Sequence, residues 1–340
     1  MLGLSFIICC HNSANRLPHT LDHLARQEAQ HYPWEVIVVD NGSTDNTSLV
    51  ADHAWKAHGQ VPLRILTETT VGLSRARLKG ARNARYDLIS FIDDDNWVAP
   101  DWVSVVCKTM AGNQLIGACG GQSDAQCDVS WPSWFNSCRT AYAIGEQASG
   151  ESDVTWTRGY LWGAGLSIRS ESLAQLLDEG FVFLLSGRRG RSFASGEDSE
   201  LCMALRLAGW KLYYQPRMRL KHFIPAERLN WTYVRRLHRG FGCSNPVLDL
   251  YRKAHLPRHP GAEASPHWTR KVVRIVHSIL QDHWYALDAC YKPREGDIGV
   301  LKLETKFGKL SEILRLRGKL ARFDELLSQA KWRHPVPRIV

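Results

Sequence analysis

The chain has 340 residues, enough to bury a full hydrophobic core and to form two domains, or one large domain with an appendage. Hydrophobic residues make up 44% and charged residues 23% of it, which is ordinary for a soluble globular protein and argues against a disordered chain. The net charge of +9 either favours anionic partners, such as nucleotides, phospholipid head groups or nucleic acid, or reflects a solvated basic surface.

Cysteine usage and the absence of long apolar runs restrict the class of protein further. The nine cysteines are scattered and include no C-x-x-C pair, so we expect reduced thiols in a cytosolic protein. Residues 1–10 are apolar but lack a basic flank and run directly into His11, which favours a first strand over a signal peptide. No stretch approaches 18 consecutive apolar residues, so any membrane contact is expected to be peripheral.

Apolar runs of strand length alternate with helical patterns through the first hundred residues. Strands are predicted at residues 4–9, 34–39, 63–66 and 88–92. Helices are predicted around Leu17, Leu21 and Leu24, from near Ser43 or Thr44, and over residues 72–84. This alternation predicts an α/β fold with a mostly parallel sheet flanked by helices.

The rest of the chain divides into a loop-rich middle and a helical end. Residues 123–160 lack periodicity and predict long loops, followed by a strand at 165–168, helices at 170–177 and 197–208, and strands around 212–223. We expect this first domain to end near Gly242. Beyond it, apolar stripes are formed by Trp268, Val272, Val273, Val276 and Leu280, and by Leu310, Ile313, Leu314 and Leu320. The stripes either pack on the first domain or, because basic residues interleave with the second, contact a membrane surface or a partner.

Acidic residues directly follow two of the predicted strands. Asp40 follows the second strand, and Asp93, Asp94 and Asp95 follow the fourth. Ligands bind at the carboxyl ends of strands in an open α/β sheet, so these groups are expected to meet in one crevice. Three consecutive carboxylates need a cation or abundant water, and oxygen ligands suit Mg²⁺ or Mn²⁺, which also bridge diphosphates. A solvated acidic turn or a helix cap before Trp97 is the alternative.

The turns after the strands exclude two common nucleotide-binding classes. Neither the segment at 11–13 nor that at 40–45 contains the three-glycine dinucleotide fingerprint or a P-loop. Residues 41–43 also form a favourable turn into a helix. The segment at 72–77 begins a helix with cations, which could neutralise phosphates or could be a solvated basic helix start. The segment at 196–201 begins another helix with carboxylates, which could supply a general base or could cap the helix N-terminus.

Taken in order, these motifs resemble a known enzyme family. Residues 40–45, 93–95, 163–165 and 196–198 resemble the motifs of inverting family 2 glycosyltransferases with the GT-A fold, over about residues 4–242. The resemblance implies a GT-A domain at 1–242, with a nucleotide-binding half at about 1–121 and an acceptor-binding half at about 122–242. Residues 243–340 would form a helical C-terminal extension.

The resemblance also implies where the nucleotide of a nucleotide-sugar donor would bind. His11 and Asn12 would lie beside the nucleotide, Asp40 and Asn41 near its base, and Asp94 near the ribose. Each of these residues follows a predicted strand of the nucleotide-binding half.

The remaining site residues would surround the diphosphate and the sugar. Asp95, with Asp93, would hold Mg²⁺ or Mn²⁺, and Arg77 would approach the phosphates. His222 either approaches the metal or packs at a strand end.

The resemblance assigns the reacting end of the site to the second half of the domain. Trp162, beside Gly163, either stacks on the donor sugar or is buried. Asp198 would be the catalytic base of an inverting displacement.

No Gln-x-x-Arg-Trp motif of processive synthases is present, which favours transfer of one sugar to a glycan or lipid-linked acceptor. A sugar nucleotidyltransferase would carry a Gly-rich loop directly after the first strand. Residues 11–16 occupy that position in this chain and contain no glycine, which argues against this class. A non-catalytic nucleotide-sugar or carbohydrate-binding protein of the same fold is the main alternative. Dispersed Lys and Arg without a familiar binding motif argue against a nucleic-acid partner.

Overall fold

The first four strands form the parallel part of a nine-stranded sheet. A computed structural model describes residues 2–185, 196–254, 268–282 and 295–334 of the chain, so the predicted extension lies partly outside the described residues. The predicted N-terminal strands are confirmed to within one residue as β1 (Leu4–Cys10), β2 (Trp34–Asp40), β3 (Leu63–Thr67) and β4 (Leu88–Ile92). Nearly every side chain of β1, β2 and β4 is buried, as expected for parallel strands that are covered on both faces.

Helices connect these strands and follow the last of them. They are α1 (Leu17–Ala25), α2 (Thr47–His58), α3 (Leu73–Arg82) and α4 (Trp102–Gly112). The second helix begins at Thr47 and not near Ser43 or Thr44, as the sequence had suggested. The reason is that Ser43 N donates to Asp40 Oδ1 (2.9 Å) and Thr44 N to Asn12 Oδ1 (2.8 Å), which holds these residues in a turn.

The second half of the sheet is mixed. Its strands are β5 (Asn96–Val98), β6 (Ile116–Gln126), β7 (Ser152–Asp153), β8 (Leu166–Arg169) and β9 (Lys211–Phe223), and a short helix α5 (Phe135–Cys138) lies in the loop-rich middle. The strand order is β3-β2-β1-β4-β8-β6-β9-β5, with β7 paired to β9. Strand β8 is antiparallel to β4 and β6, whereas β9 is parallel to β6. The strands expected around 212–223 are one long strand.

The sheet order places a crevice at the carboxyl ends of the central strands. β1 lies between β2 and β4 and is parallel to both, with Cys10 opposite Asp40 and Ile8 opposite Ile92. The chain leaves β1 toward one side for β2 and returns to its other side for β4, which is the topology that opens a ligand crevice. His11, Asn41 and Asp93 therefore begin at the same edge of the sheet.

Six more helices complete the described part of the chain. They are α6 (Ser170–Asp178), α7 (Glu197–Leu207), α8 (Trp231–Ala254), α9 (Trp268–Gln281), α10 (Ile298–Leu316) and α11 (Leu320–Ser328). The boundary expected near Gly242 lies inside α8, so one continuous helix joins the two predicted parts. Val247, Leu248 and Tyr251 of α8 share a buried cluster with the sheet. Within the described residues, no helix is both long and apolar enough to cross a membrane.

The two C-terminal apolar stripes differ in their environment. In the α10–α11 stripe Ile313 and Leu320 are buried in the core, which favours packing over membrane contact for these residues. In α9 the predicted stripe is divided, because Trp268 and Val272 pack against the core whereas Val273 and Leu280 are 66% and 61% exposed.

Glycines let α8 and α10 approach each other closely. A Cβ at Gly308 would lie 2.0 Å from Arg239 O, and one at Gly242 would lie 2.1 Å from Thr305 O. Both obstacles are backbone atoms of the facing helix, so they cannot move without separating the helices. The contact between α8 and α10 therefore requires residues without a side chain at these two positions.

We expect Gly308→Ala to lower the free energy of unfolding by about 1–3 kcal/mol, because overpacking outweighs the gain in helix propensity. Urea denaturation followed by circular dichroism measures this change. Gly318→Ala is the matched control, because a Cβ there meets nothing within 4 Å. Equal stability of Gly308→Ala and wild type would contradict the close packing of α8 and α10.

Candidate active site

Three consecutive carboxylates follow β4, and each is paired with an arginine from a different part of the chain. The pairs, with their N···O distances, are Arg77–Asp93 (3.7 Å), Arg16–Asp94 (2.8 Å) and Arg228–Asp95 (2.9 Å). The arginines come from α3, from the turn before α1 and from the segment after β9. The repulsion among the three carboxylates is thus balanced by side chains that the sheet topology brings to this edge.

Asp95 is the most enclosed of the three carboxylates. Its side chain is 4% exposed, and Oδ1 lies 3.5 Å from His222 Nε2 and 3.2 Å from Asn96 Nδ2. Nδ1 of His222 lies 2.9 Å from the carbonyl oxygen of Tyr142, which orients the ring toward Asp95. Burial raises the pKa of Asp95, but His222 and Arg228 outweigh it and lower that pKa to about 2. Burial likewise lowers the pKa of His222, but Asp95 outweighs it and raises that pKa above its usual value.

Asp94 connects the end of β4 to the end of β1. Its Oδ2 accepts hydrogen bonds from Ser13 Oγ and from Arg16 Nη2, and its carbonyl oxygen accepts one from Thr20 Oγ1 at 2.9 Å. Its side chain is 13% exposed and still borders the central cavity. Asp94 therefore fixes the loop between β1 and α1 relative to β4.

Asp198 lies in the first turn of α7 and faces the carboxylate cluster. Its Oδ2 accepts a hydrogen bond from Gly163 N at 2.7 Å. A Cβ at Gly163 would lie 3.0 Å from that oxygen and 3.2 Å from Arg77 Nη2, so glycine permits this close approach. Arg77 stands between Asp93 and Asp198, and both carboxylates outweigh the effect of burial and raise its pKa. One guanidinium thus joins the end of β4 to the start of α7.

One cavity of about 480 Å³ collects most of the predicted site residues. Eight of them line it: Arg77, Asp93, Asp94, Asp95, Trp162, Gly163, Asp198 and His222. One face of α8 forms part of the opposite wall, where Tyr233, Leu237 and Phe241 recur at intervals of four residues. No sequence pattern had indicated that α8 belongs to the site.

The other four predicted residues lie beside this cavity, in the turns after β1 and β2. Asn12 has a φ of 52° and accepts the turn hydrogen bonds of Thr44, and His11 Nδ1 lies 3.0 Å from Asn41 O. Asp40 accepts hydrogen bonds from the amide of Ser43 and the hydroxyl of Ser48. These side chains hold the two turns together at the edge of the crevice.

Asn41 has a similar structural role, because its side chain is fully engaged by backbone groups. Its Nδ2 donates to Glu68 O (3.0 Å) and Thr70 O (2.9 Å), and its Oδ1 accepts from Gly72 N (2.7 Å). Asn41 thereby fixes the start of α3, the helix that carries Arg77.

Trp162 is half-buried and borders the cavity. Its amide donates to Gln147 Oε1 at 2.8 Å, and the guanidinium of Arg158 lies 4.8 Å from its ring and 4.6 Å from that of Tyr160. Such cation–π stacking fixes the orientation of both rings. A ring held in this way and still partly open to the cavity can offer a surface to a sugar.

The sequence interpretation missed Arg16, Arg228 and Arg158. Arg16 follows the first strand in the turn before a helix, and Arg228 follows His222 by six residues, but neither has a local pattern that marks an ion pair. Their acidic partners are 78 and 133 positions away in the chain. A tertiary structure is needed to find such pairs.

The donor set formed by Asp93, Asp95 and His222 fits a divalent cation by its chemistry, since two carboxylates and an imidazole suit Mn²⁺ or Mg²⁺. Nevertheless, across the described residues no three such side chains form a group that could hold a metal ion. Around Asp95, Arg228 occupies one carboxylate oxygen, and His222 and Asn96 face the other. A cation that binds Oδ2 of Asp95, alone or together with Oδ1, must therefore displace Arg228.

Comparison with known families identifies the class of protein. The family model described as Glycosyl transferase family 2 matches residues 5–176, so the chain belongs to this family. The chain is thus a glycosyltransferase that uses a nucleotide-sugar donor, and the proposed resemblance is confirmed.

Curated relatives carry several different activities. The chain is 23% identical over 250 residues to glucosyl-dolichyl phosphate glucuronosyltransferase of Haloferax volcanii, with 72% of this chain and 77% of the relative aligned. It is 27% identical over 241 residues to an N-acetylglucosaminyltransferase of Mesorhizobium japonicum, covering 68% of this chain and 55% of the relative. A match to the putative glycosyltransferase EpsH of Bacillus subtilis, at 28% identity, covers 33% of this chain and 31% of the relative.

Solved structures confirm the GT-A fold. A mannosyltransferase from Pyrobaculum calidifontis, in complex with GDP-Man and Mn²⁺, has a TM-score of 0.54 and 17% identity over 93% of this chain and 87% of its own. TarS residues 1–349 from S. aureus, in complex with UDP, has a TM-score of 0.50 and 16% identity over 92% and 91%. At these identities the likeness extends to the fold alone.

Glu200 links the N-terminal end of α7 to its surroundings. Its carboxylate accepts hydrogen bonds from the amides of Leu184 (2.7 Å) and Leu185 (3.0 Å) and from Tyr251 Oη of α8 (2.8 Å). Burial raises the pKa of Glu200 to about 7, although these hydrogen bonds favour the ionised form. A carboxyl that is harder to ionise in the folded protein takes up a proton on folding, so its contribution to stability falls as pH rises from about 4.5 to about 7.

We therefore expect the stability of wild type relative to Glu200→Gln to fall by roughly 2–3 kcal/mol between pH 5 and pH 8. Denaturation midpoints measured across this pH range test the expectation. Glu325→Gln, at an exposed position of α11, is the control and should follow the wild-type pH profile. A difference between wild type and Glu200→Gln that does not change with pH would contradict the raised pKa.

Proposed function

We propose that the chain transfers one sugar from a nucleotide-sugar donor to an acceptor hydroxyl, with inversion at the anomeric carbon and with help from a divalent metal. The observation that carries this proposal is the position of Asp198. It faces the Asp93 and Asp95 carboxylates across one cavity, with Arg77 between them. A base and a diphosphate site on opposite sides of a cavity are what an in-line displacement requires.

The donor is proposed to lie across the carboxyl ends of β1, β2 and β4. Its nucleoside would rest on the turns that contain His11, Asn12, Asp40 and Asn41, with the ribose near Asp94. The side chains of Asp40 and Asn41 already hold those turns, so we propose that these two residues determine the shape of the nucleoside site.

The diphosphate and the sugar are proposed to occupy the cavity itself. The diphosphate would lie at Asp93, Asp95 and Arg77, and the sugar would lie against Trp162 and Gly163. When bound by Asp93, Asp95 and His222, Mg²⁺ or Mn²⁺ would neutralise the departing diphosphate.

The chemistry of transfer is assigned to Asp198. It accepts the proton of the acceptor hydroxyl, whose oxygen attacks the anomeric carbon as the bond to the diphosphate breaks. A carboxylate is a weak base at neutral pH, so proton transfer is expected late, when the attacking hydroxyl has become acidic. The hydrogen bond from Gly163 N holds one carboxylate oxygen and leaves the other for the acceptor.

The acceptor is proposed to be a glycan or a lipid-linked glycan. Residues of about 122–242 and one face of α8 form the cavity wall beyond Asp198, and aromatic side chains such as Tyr142, Tyr233 and Phe241 lie there. Aromatic surfaces suit the apolar faces of sugars. The name of the Haloferax relative points to a dolichyl phosphate acceptor for that protein, which supports the lipid-linked class here.

The domain division and the membrane contact remain part of the proposal. Residues 1–242 would form the catalytic domain and 243–340 an extension that also closes the acceptor side of the cavity. If the protein meets a membrane surface, the outward residues of α9, Val273 and Leu280, are the contact that we propose.

We expect a nucleotide-sugar, in the presence of Mn²⁺, to raise the melting temperature of wild type and not that of Asp95→Ala, because Asp95 is a proposed metal ligand. Thermal shifts with UDP-, GDP-, CMP- and dTDP-sugars, each with and without Mn²⁺, measure this and identify the base.

The matched control for this experiment is Asp52→Ala, which removes an exposed carboxylate paired with Lys56 on α2 and should behave as wild type. If all three folded proteins ignore every donor, the proposed donor site and the transfer mechanism built on it are wrong. Equal stabilisation with and without Mn²⁺ would contradict the metal dependence alone.

A further inference from the structure

Arg228 is a cation that already occupies the carboxylate proposed for the metal. Its Nη1 donates to Asp95 Oδ2 at 2.9 Å, while its side chain remains 28% exposed and borders the cavity. Asp95 itself is 4% exposed, so an unpaired charge there would be costly. The guanidinium therefore stabilises Asp95 for as long as no other cation is bound.

The backbone of Arg228 is fixed, whereas its side chain can reach a ligand. The carbonyl oxygen of Arg228 accepts a hydrogen bond from Tyr142 Oη at 2.7 Å, and its amide donates to Pro225 O at 2.8 Å. Tyr142 in turn uses its own carbonyl oxygen to orient His222. This chain of contacts holds the Cα of Arg228 beside the proposed diphosphate site, while the guanidinium on its long side chain borders the cavity.

Charge balance in the cavity indicates what a released guanidinium would bind. Five carboxylates line the cavity, against three arginines and the imidazole of His222, so an anionic diphosphate is repelled unless positive charge is added. A divalent cation that takes Oδ2 of Asp95 adds that charge and at the same time breaks the Asp95–Arg228 pair. The released guanidinium would then face a cation unless an anion lies between them, and a diphosphate is such an anion.

We propose that Arg228 exchanges partners during donor binding: a divalent cation takes its place on Asp95, and its guanidinium moves to the donor diphosphate. Arg228 then weakens metal binding when no nucleotide is present and strengthens it when the diphosphate is present. The metal and the nucleotide therefore bind cooperatively, and Arg228 is the source of part of that cooperativity. The inference rests on the proposed function, because it requires a nucleotide-sugar and a metal in this cavity.

The neighbouring arginines do not have the same freedom. Arg16 and Ser13 both donate to Asp94, which is not a proposed metal ligand. Arg77 is 12% exposed, packs over the Phe91 ring and lies close to Asp198. Displacing either of them would not open a position on Asp95.

The test compares wild type with Arg228→Gln and Arg228→Lys by two measurements. Electron paramagnetic resonance of free Mn²⁺ gives Mn²⁺ affinity without nucleotide, and isothermal titration with UDP and GDP gives nucleotide affinity at saturating Mn²⁺. Arg228→Gln should bind Mn²⁺ alone more tightly than wild type. It should bind the preferred diphosphate at least about tenfold more weakly than wild type, because it loses a charge-assisted hydrogen bond. Arg228→Lys keeps the charge, so its Mn²⁺ affinity should stay near wild type while diphosphate affinity falls.

Arg26→Gln is the matched control, because Arg26 forms an exposed pair with Asp22 on α1, outside the cavity. It should leave both affinities unchanged. Circular dichroism reports whether Arg228→Gln folds. If it does not, Arg228→Lys still tests the inference through its diphosphate affinity.

Two outcomes would overturn the inference, and they are distinguishable. In the first, wild type needs Mn²⁺ to bind the diphosphate, but the Arg228 variants have the same Mn²⁺ affinity and the same diphosphate affinity as wild type. This result would overturn the role of Arg228 alone. A wild type that binds UDP or GDP equally well without Mn²⁺ would overturn this role together with the proposed metal dependence.

Discussion

The structure depends on compensating three adjacent negative charges at the end of a buried strand. Asp93, Asp94 and Asp95 are forced together by their sequence, and the sheet brings the ends of distant segments to the same edge. Each of those segments supplies one arginine. Because the pairs tie α3, the turn before α1 and the segment after β9 to β4, the electrostatic requirement also fixes the geometry around the cavity.

The same compensation explains how a ligand site can exist in so charged a place. The paired carboxylates are stable without a ligand, since Asp95 is buried with a guanidinium and an imidazole beside it. Each pair also borders or adjoins a cavity large enough to admit part of a substrate. In the proposed mechanism, an incoming metal and diphosphate would meet charges that are already arranged, and binding would exchange existing ion pairs for new ones.

The sequence was sufficient to predict features that depend on neighbouring residues or on the position of a strand end in the sheet. Strands such as residues 34–39 and 88–92 are predictable because parallel strands covered on both faces consist of continuous apolar runs. Asp93 and Asp198 could be placed near one crevice from motif order and the strand-end rule. Arg228 and the α8 wall could not, because their partners are distant in sequence and helical periodicity does not identify the surface that a face meets. For the same reason the sequence pattern predicts a single stripe on α9, although the residues of this stripe face two environments.

The central claim is that Asp198 drives a single displacement at the cavity it shares with the carboxylate cluster. Proton NMR of the anomeric signal during turnover of an α-linked nucleotide-sugar, by wild type and by Asp198→Asn, tests it most directly. The account predicts a β-configured first product from wild type, and turnover about 10²–10⁴-fold slower in Asp198→Asn with donor affinity retained. A first product with retained configuration, or an Asp198→Asn protein as fast as wild type, would contradict the account.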